Sequence, residues 1–255
     1  MRKLIQNNIH AFYDEIGSTL GNGFHKDETK SWIKAGNGFW PNMIYNTSFS
    51  EENLDEFVKE NIEAIKTKNA PPFWLVEDSE LDISLSNKLK KVGMRPIFHW
   101  TGMGFTANET FEIELPTNTR IKTVQTTDEL NAWKDILNKA LMTSNQIKDN
   151  IFENLYLQDS FKLYLVIENN IPVATGLAYF SDNNCGIYMI ATLDEHRRKG
   201  FGSAVTKHCI NVAHQKGITN IVLQASTKGV SIYEKMGFSK HCEFNIFWML
   251  GKDFK

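Results

Sequence analysis

The stretch from Met189 to Ala204, MIATLDEHRRKGFGSA, limits the possible folds of this chain more than any other segment. An apolar, β-prone run ends at Thr192 and a charged loop follows. Arg197-Arg198-Lys199-Gly200-Phe201-Gly202 then leads into a helix expected to begin at Ser203. The first-turn amides of a helix lack intrahelical partners and carry a partial positive charge. Glycines at 200 and 202 remove side chains, so those amides can come close to a phosphate, and three cationic residues stand beside them. A pyrophosphate suits this arrangement. It is not the dinucleotide fingerprint, because position 205 is Val rather than the third glycine. Nor is it a P-loop, because no Gly-Lys-Ser/Thr follows. What remains is Arg-x-x-Gly-x-Gly after a strand.

The flanking sequence alternates in a definite order. Phe161 to Glu168, Pro172 to Phe180 and Gly186 to Thr192 are β-prone runs separated by Asn169-Asn170 and Asp182-Asn183-Asn184, the pattern of an antiparallel meander. Val205, Cys209, Val212 and Ala213 then share one helical face, with Gly217 suited to closing the helix. Ile221 to Ala225 reads as a strand, Val230 to Met236 as a short helix, and Glu243 to Leu250 as the last strand. A strand–helix–strand passage implies one parallel pair. Upstream, Asp128 to Met142 reads as an amphipathic helix capped by Thr126 or Thr127.

The basic loop resembles the coenzyme A loop of the GCN5-related N-acetyltransferase (GNAT) family, Gln/Arg-x-x-Gly-x-Gly/Ala, through Arg197, Gly200 and Gly202. A second feature lies downstream. LQASTKGVSIYEKMGF, residues 223–238, resembles the family's strand, small-residue turn and helix bearing Tyr-Glu-Lys-x-Gly-Phe. Ser226 and Gly229 stand where many members carry Asn and Ala. With the meander and the last strand, the resemblance covers residues 116–255. It implies an α/β fold of the α+β type, with a mixed, mostly antiparallel central sheet flanked by helices.

The resemblance also implies an activity: transfer of acetyl from acetyl-CoA, a cosubstrate, to an amine of a small molecule or peptide, without a metal. The two central strands, Gly186–Thr192 and Ile221–Ala225, are expected to splay. Backbone groups of Ile190, Ala191 and Thr192 would pair with the amide-rich pantetheine arm. The amides of Arg197, Arg198, Lys199, Gly200, Phe201, Gly202 and Ser203 would hold the pyrophosphate, and Ser226 is also expected to bind the coenzyme. An N–H near Ile190 would steady the oxyanion. Tyr233 would protonate the departing thiolate. Many relatives have a Glu on the strand before the loop, but Cys185 to Ala191 contains none. Asp194, Glu195, His196, His241 and Glu243 are the nearest candidates for a base, and water also serves. The missing Glu keeps open a second reading, a non-catalytic acyl-CoA-binding module. A different acyl chain or acceptor is compatible with the same fold.

The first half carries an echo of the second. Phe73 to Phe105 runs strand, turn, helix ending KKVGM, strand, matching the order of 221–250 and its EKMGF. Asn53 to Lys66 reads as a helix after a strand at Met43 to Phe49. A diverged duplication follows, with a smaller, degenerate GNAT-like α/β half at 1–115 and the transferase half at 116–255. Asn46 to Glu51 has no glycine and no basic residue, so one coenzyme site per chain is expected, in the second half. The aromatics Trp32, Phe39, Trp40, Phe73, Trp74, Phe98 and Trp100 would form the first half's core or wall an acceptor pocket. Gly21-Asn22-Gly23-Phe24 and Gly36-Asn37-Gly38-Phe39 read as turns.

A net charge of -2 argues against a nucleic-acid partner. No apolar run is long enough to span a membrane, and the N-terminus lacks the apolar core of a secretory signal. Cys185, Cys209 and Cys242 are far apart and read as free, buried thiols of a cytoplasmic protein. Whether the chain is a monomer or a homodimer stays open.

Overall fold

The computed structural model describes residues 1–36, 38–142, 147 and 151–249. Asn37, in the second Gly-Asn-Gly-Phe turn, and Leu250, the expected end of the last strand, lie outside the described residues. The first half holds α1 (Arg2–Ser18), short strands β1 (Phe24–Lys26), β2 (Ser31–Ile33) and β3 (Met43–Tyr45), then α2 (Leu54–Lys66), β4 (Phe73–Val76), α3 (Glu80–Lys91) and β5 (Met94–Thr106). The second half holds β6 (Thr119–Thr123), α4 (Thr127–Ala140), the meander β7 (Phe161–Glu168), β8 (Ile171–Ser181) and β9 (Asn184–Thr192), then α5 (Phe201–Gln215), β10 (Asn220–Ser226), α6 (Val230–Glu234) and β11 (Ser239–Met249).

Local chemistry accounts for several boundaries. Asn169 and Asn170 both have positive φ, as a two-residue hairpin turn requires. Thr126, not Thr127, caps α4: its side chain accepts from the Glu129 amide while the Glu129 carboxylate accepts from the Thr126 amide. Helix α5 begins at Phe201, two residues earlier than expected, because Gly200 takes φ 83° and serves as the cap. Strand β3 stops at Tyr45 rather than Phe49, since Asn46 turns left-handed.

The strands form one sheet in the order β1-β2-β3-β4-β11-β5-β10-β9-β8-β7-β6. Most neighbours are antiparallel. The parallel pairs are β3 with β4 and β9 with β10. These pairs are equivalent in the two halves, β3–α2–β4–α3–β5 repeating as β9–α5–β10–α6–β11. The last strands are exchanged: β11 pairs with β4, β5 pairs with β10, and the two exchanged strands pair with each other. The boundary drawn at residue 115 lies in the irregular stretch between β5 and β6, yet the sheet runs unbroken between the halves.

Side-chain alternation divides the core between the two sheet faces. Leu163 and Leu165 of β7, with Phe73 and Leu75 of β4, pack under α1 and α4. Tyr164 and Val166 pack under α5, and Trp74 and Val76 under α2 and α3. Ile5, Ile9, Phe12 and Ile16 form a buried stripe at helical spacing on α1. The three cysteines are free and buried. Among the described residues, no helix is long and apolar enough to cross a membrane.

Candidate active site

Strands β9 and β10 run parallel from Asn184 opposite Asn220 to Ile187 opposite Leu223, and then separate. Beyond that point Gln224, Ala225 and Ser226 stay with β5, opposite Gly102, Thr101 and Trp100. Ala191 and Thr192 stay with β8, opposite Thr175 and Ala174. A V-shaped gap therefore opens between Tyr188–Thr192 and Gln224–Ser226. A β-bulge bends β9 at this point. Met189 takes φ 53°, and the register moves from Leu177 opposite Tyr188 to Thr175 opposite Ala191, leaving Met189 and Ile190 without partners. Thr175 Oγ1 donates to the Met189 carbonyl at 2.8 Å, and Trp133 Nε1 of α4 donates to the Gly176 carbonyl at 3.2 Å. A Cβ on Gly176 would lie 2.6 Å from Val205 Cγ2, so α5 can pack this closely only over a glycine.

The loop from β9 to α5 has a backbone that could seat an anion. Arg198 has φ 63° and Gly200 φ 83°, so left-handed residues alternate with Lys199 just before the first turn of α5. Such alternation turns successive backbone N–H groups toward one point. The basic side chains do less than their number suggests. Lys199 Nζ donates to both oxygens of Glu168 at 2.9 and 3.0 Å, and His196 Nδ1 lies 2.7 Å from the same carboxylate. The hydrogen bond from Lys199 holds the Glu168 carboxyl below its ordinary value; burial opposes the shift and His196 adds to it. Arg197 pairs with Asp194 at 2.7 Å, and its Nε donates to the Thr192 carbonyl at 3.3 Å. Phe201 is buried, while Gly202 and Ser203 are half-buried. A Cβ on Gly202 would face Ile190 Cγ2 at 3.5 Å, at the mouth of the gap.

The equivalent position in the first half has no such seat. Helix α2 carries Asp55 and Glu56 in its first turn, a charge that repels an anion. Trp74 is fully buried, with its ring 5.9 Å from Phe57.

Opposite the bulge, Gly229 caps α6 and Tyr233 stands on its last turn. A Cβ at Gly229 would sit 3.2 Å from the Tyr233 ring, so the small residue allows the ring to close in. The Gly229 amide donates to the carbonyl of Ser226, which is exposed at the end of β10. Burial, with a smaller contribution from Cys209, pushes the Tyr233 phenol up to about 12. It is therefore protonated and a donor at neutral pH.

A cavity of about 340 Å³ begins at the gap, where Met189, Ile190, Ser226 and Tyr233 line it. Its far wall comes from the first half: Phe39, Trp40, Phe98 and Trp100, with Phe12 and Tyr13 of α1. Four of the seven aromatics singled out in the sequence thus reach the cavity. The other three pack elsewhere: Trp32 on His25, Phe73 on Trp248, and Trp74 in the core under α2.

Of the sequence-selected residues, Ile190, Ser226 and Tyr233 meet at the cavity. Ala191 and Thr192 continue along the gap edge, and Arg197 to Ser203 follow in the loop and first turn of α5. None of the five candidate bases lines the cavity. Asp194 and Glu195 are exposed in the short turn after β9, His196 is bonded to Glu168, Glu243 pairs with His99 at 2.9 Å, and His241 is exposed. Asn8 of α1 is not among the sequence-selected residues. Tyr188 Oη donates to Asn8 Oδ1 at 2.6 Å, and Asn8 Nδ2 donates to Asn184 at 2.6 Å and to Ser181 at 3.0 Å. Phe12 stacks on Tyr188 with centroids 4.0 Å apart. The signal for α1 was the apolar spacing of Ile5, Ile9, Phe12 and Ile16.

Residues 125–246 match the family model described as an acetyltransferase (GNAT) domain. Two solved structures resemble nearly the whole chain. A GCN5-related N-acetyltransferase from Kribbella flavida superposes with a TM-score of 0.68 at 16% identity, over 93% of this chain and 95% of its own. One from Sphaerobacter thermophilus gives 0.67 at 14% identity, over 95% and 90%. A tandem GNAT protein from the clavulanic acid biosynthesis pathway gives 0.60 at 10% identity, over 86% of this chain and 76% of its own. These likenesses extend the GNAT fold to the first half. In sequence, the uncharacterized protein YyaT of Bacillus subtilis (strain 168) is 28% identical over 82 residues, which is 32% of this chain and 55% of that relative.

Proposed function

We propose that the protein transfers an acetyl group from acetyl-CoA to an amine, with the coenzyme in the gap between β9 and β10, since residues 125–246 match an acetyltransferase (GNAT) domain. One observation carries this reading: a bulged, splayed strand pair that leads at one end into a left-handed backbone seat and at the other into a cavity bearing a protonated tyrosine. The seat suits a diphosphate, since backbone amides and a helix N-terminus favour negative charge. The open edge of β9 from Ile190 to Thr192 suits the amides of the pantetheine arm, as an added strand would.

In the proposed reaction the amine nitrogen attacks the thioester carbonyl carbon. The C–S bond breaks and a C–N bond forms. The bulge at Met189–Ile190 offers a backbone N–H to the developing oxyanion. Tyr233 donates to the sulfur. A phenol near 12 is a weaker acid than a thiol near 8.5, so its main role is a hydrogen bond that strengthens as charge grows on sulfur; the proton that passes to the sulfur as the thiol leaves is replaced on the phenol by the surplus proton of the acylated nitrogen, so that amide, thiol and neutral Tyr233 result. Arg198 adds positive charge beside the seat, Arg197 is paired with Asp194, and Lys199 acts through Glu168 to fix the loop against β7.

A second reading, an acyl-CoA-binding module without turnover, draws on the lack of any Asp, Glu or His among the described residues lining the cavity. Calorimetry with acetyl-CoA tests the coenzyme site, and release of free CoA thiol in the presence of amines tests turnover. Micromolar binding with amine-dependent thiol release is expected. No binding would refute the coenzyme assignment, and binding without thiol release from any amine would favour the module.

A further inference from the structure

The cavity is built for a particular kind of acceptor. Its walls are rings and alkyl groups: Phe39, Trp40, Phe98 and Trp100 on one side, Leu141 and Met142 on another. Its lining side chains that carry polar groups, Gln224, Ser226, Tyr13, Tyr188 and Tyr233 among them, are uncharged. Among the described residues no Asp, Glu, Lys, Arg or His lines it. Its volume, about 340 Å³, is at the small end of ligand pockets.

Several charged groups on the surrounding elements are engaged elsewhere, and Glu195 and Arg198 of the loop after β9 are exposed. On α1, His10 pairs with Glu77, and Asp14 pairs with Lys26 and accepts from Tyr45. On β5 and β11, His99 pairs with Glu243. Glu234 of α6 pairs with Lys240. In the loop after β9, Asp194 and Arg197 pair with each other. Burial holds all three cavity tyrosines neutral across the working pH range.

We propose that the acceptor is a primary amine on a compact aromatic or apolar body, and that it gives up its ammonium proton to solvent on entering the cavity, so that no carboxylate or imidazole among the described residues acts as base. The inference rests on the coenzyme reading given above. Its physical basis is desolvation. An ammonium moved from water into a largely apolar cleft without a counter-ion loses hydration that a few neutral polar groups replace only in part, so the neutral amine is favoured. The same absence of counter-charge rejects polyamines and aminoglycosides, whose further ammonium groups would be buried unpaired, and amino acids, whose carboxylate would be too. Flat aromatic walls favour a ring, through area buried and edge or face contacts. The sequence lacks the strand Glu seen in many relatives, and a site that deprotonates its acceptor by burial does not need one.

The test uses the full chain. Calorimetry with acetyl-CoA alone comes first; if it shows no binding, the coenzyme reading fails and this inference falls with it. Given binding, thiol release at saturating acetyl-CoA is compared for tryptamine, phenethylamine, spermidine, an aminoglycoside and lysine. We expect kcat/KM for the two arylalkylamines to exceed the others by a hundredfold or more. Preference for spermidine, the aminoglycoside or lysine, or no turnover of any arylalkylamine, overturns the inference while leaving the coenzyme site standing. The pH profile gives an independent reading. The rising limb of kcat/KM should move to lower pH when phenethylamine is replaced by its less basic β-fluorinated analogue; a limb that stays fixed reports a protein base and overturns the proposal. Trp100→Leu should raise KM for tryptamine at least tenfold with the acetyl-CoA isotherm unchanged, and an unchanged KM counts against the cavity as the acceptor site.

Discussion

Replacing Gly202 by Asp separates the two consequences of a helix N-terminus. In the free protein a Cβ at this position meets only Ile190 Cγ2, at an ordinary 3.5 Å, so the fold can accept a side chain. Residue 202 is in the first turn of α5, which carries no acidic residue. A carboxylate there is stabilising by about 0.3–1 kcal/mol, a rise in Tm of roughly 1–4 °C for a chain of this size. The same carboxylate would repel a bound diphosphate. At about 5 Å each charge pair costs ~0.8 kcal/mol in water and ~3 kcal/mol at an effective dielectric of 20. Two phosphate charges bring the penalty to about 1.7–7 kcal/mol, a weakening of at least ~20-fold in Kd. Gly202→Asn supplies the same bulk without the charge, so the ratio of Asp to Asn affinities isolates the electrostatic part, which should shrink in high salt. Calorimetry with CoA and thermal denaturation read the two effects. If the Asp variant binds CoA as tightly as the parent chain, the start of α5 does not hold the pyrophosphate and the reasoning fails.

Tyr233→Phe should lower kcat by about 10²-fold or more at saturating acetyl-CoA while leaving coenzyme affinity nearly unchanged; unchanged turnover removes Tyr233 from proton donation. Trp133→Phe leaves the buried Gly176 carbonyl without its indole partner and should cost about 1–3 kcal/mol by denaturant unfolding, whereas a neutral result would mean that the bulge is fixed by Thr175 alone. The Glu168 carboxyl is depressed in the folded chain. Its stabilising contribution is therefore complete above the ordinary Glu value of about 4.3 and is lost as pH falls through the lower folded value. The Tm advantage over Glu168→Gln should thus be constant above about pH 5 and close in stronger acid, and an advantage independent of pH would contradict the ion pair with Lys199.

The second half was largely legible because its signals are local. Strands β7 to β10 and the helix between them follow from alternation, helical spacing and Asn-rich turns, and Tyr233 falls where the Tyr-Glu-Lys-x-Gly-Phe run put it. The left-handed turn at Arg198 was not legible, since nothing local favours positive φ for arginine. Neither was the pairing of Lys199 with Glu168, 31 residues away, which removes one of three charges from the expected count. The exchange of β5 and β11 depends on which partner each strand finds, and strand composition does not specify that. Helix α1 is legible in its spacing, but its role is not, because that lies in Asn8 and Phe12 meeting a strand 180 and 176 residues away. Trp100 and Trp74 look alike in sequence; strand register alone turns one into the cavity and the other into the core.

The exchange of final strands has a consequence for how the chain is made. Strand β4 emerges from the ribosome long before β11, the neighbour that completes its hydrogen bonds. At ordinary elongation rates the wait is on the order of ten seconds. During that time β4 and β5 expose unpaired edges, so the nascent first half must persist unfinished, a state in which chaperone capture or edge-to-edge sticking competes with completion. Biosynthetic yield is therefore more exposed to damage in β11 than its distance from the coenzyme seat suggests.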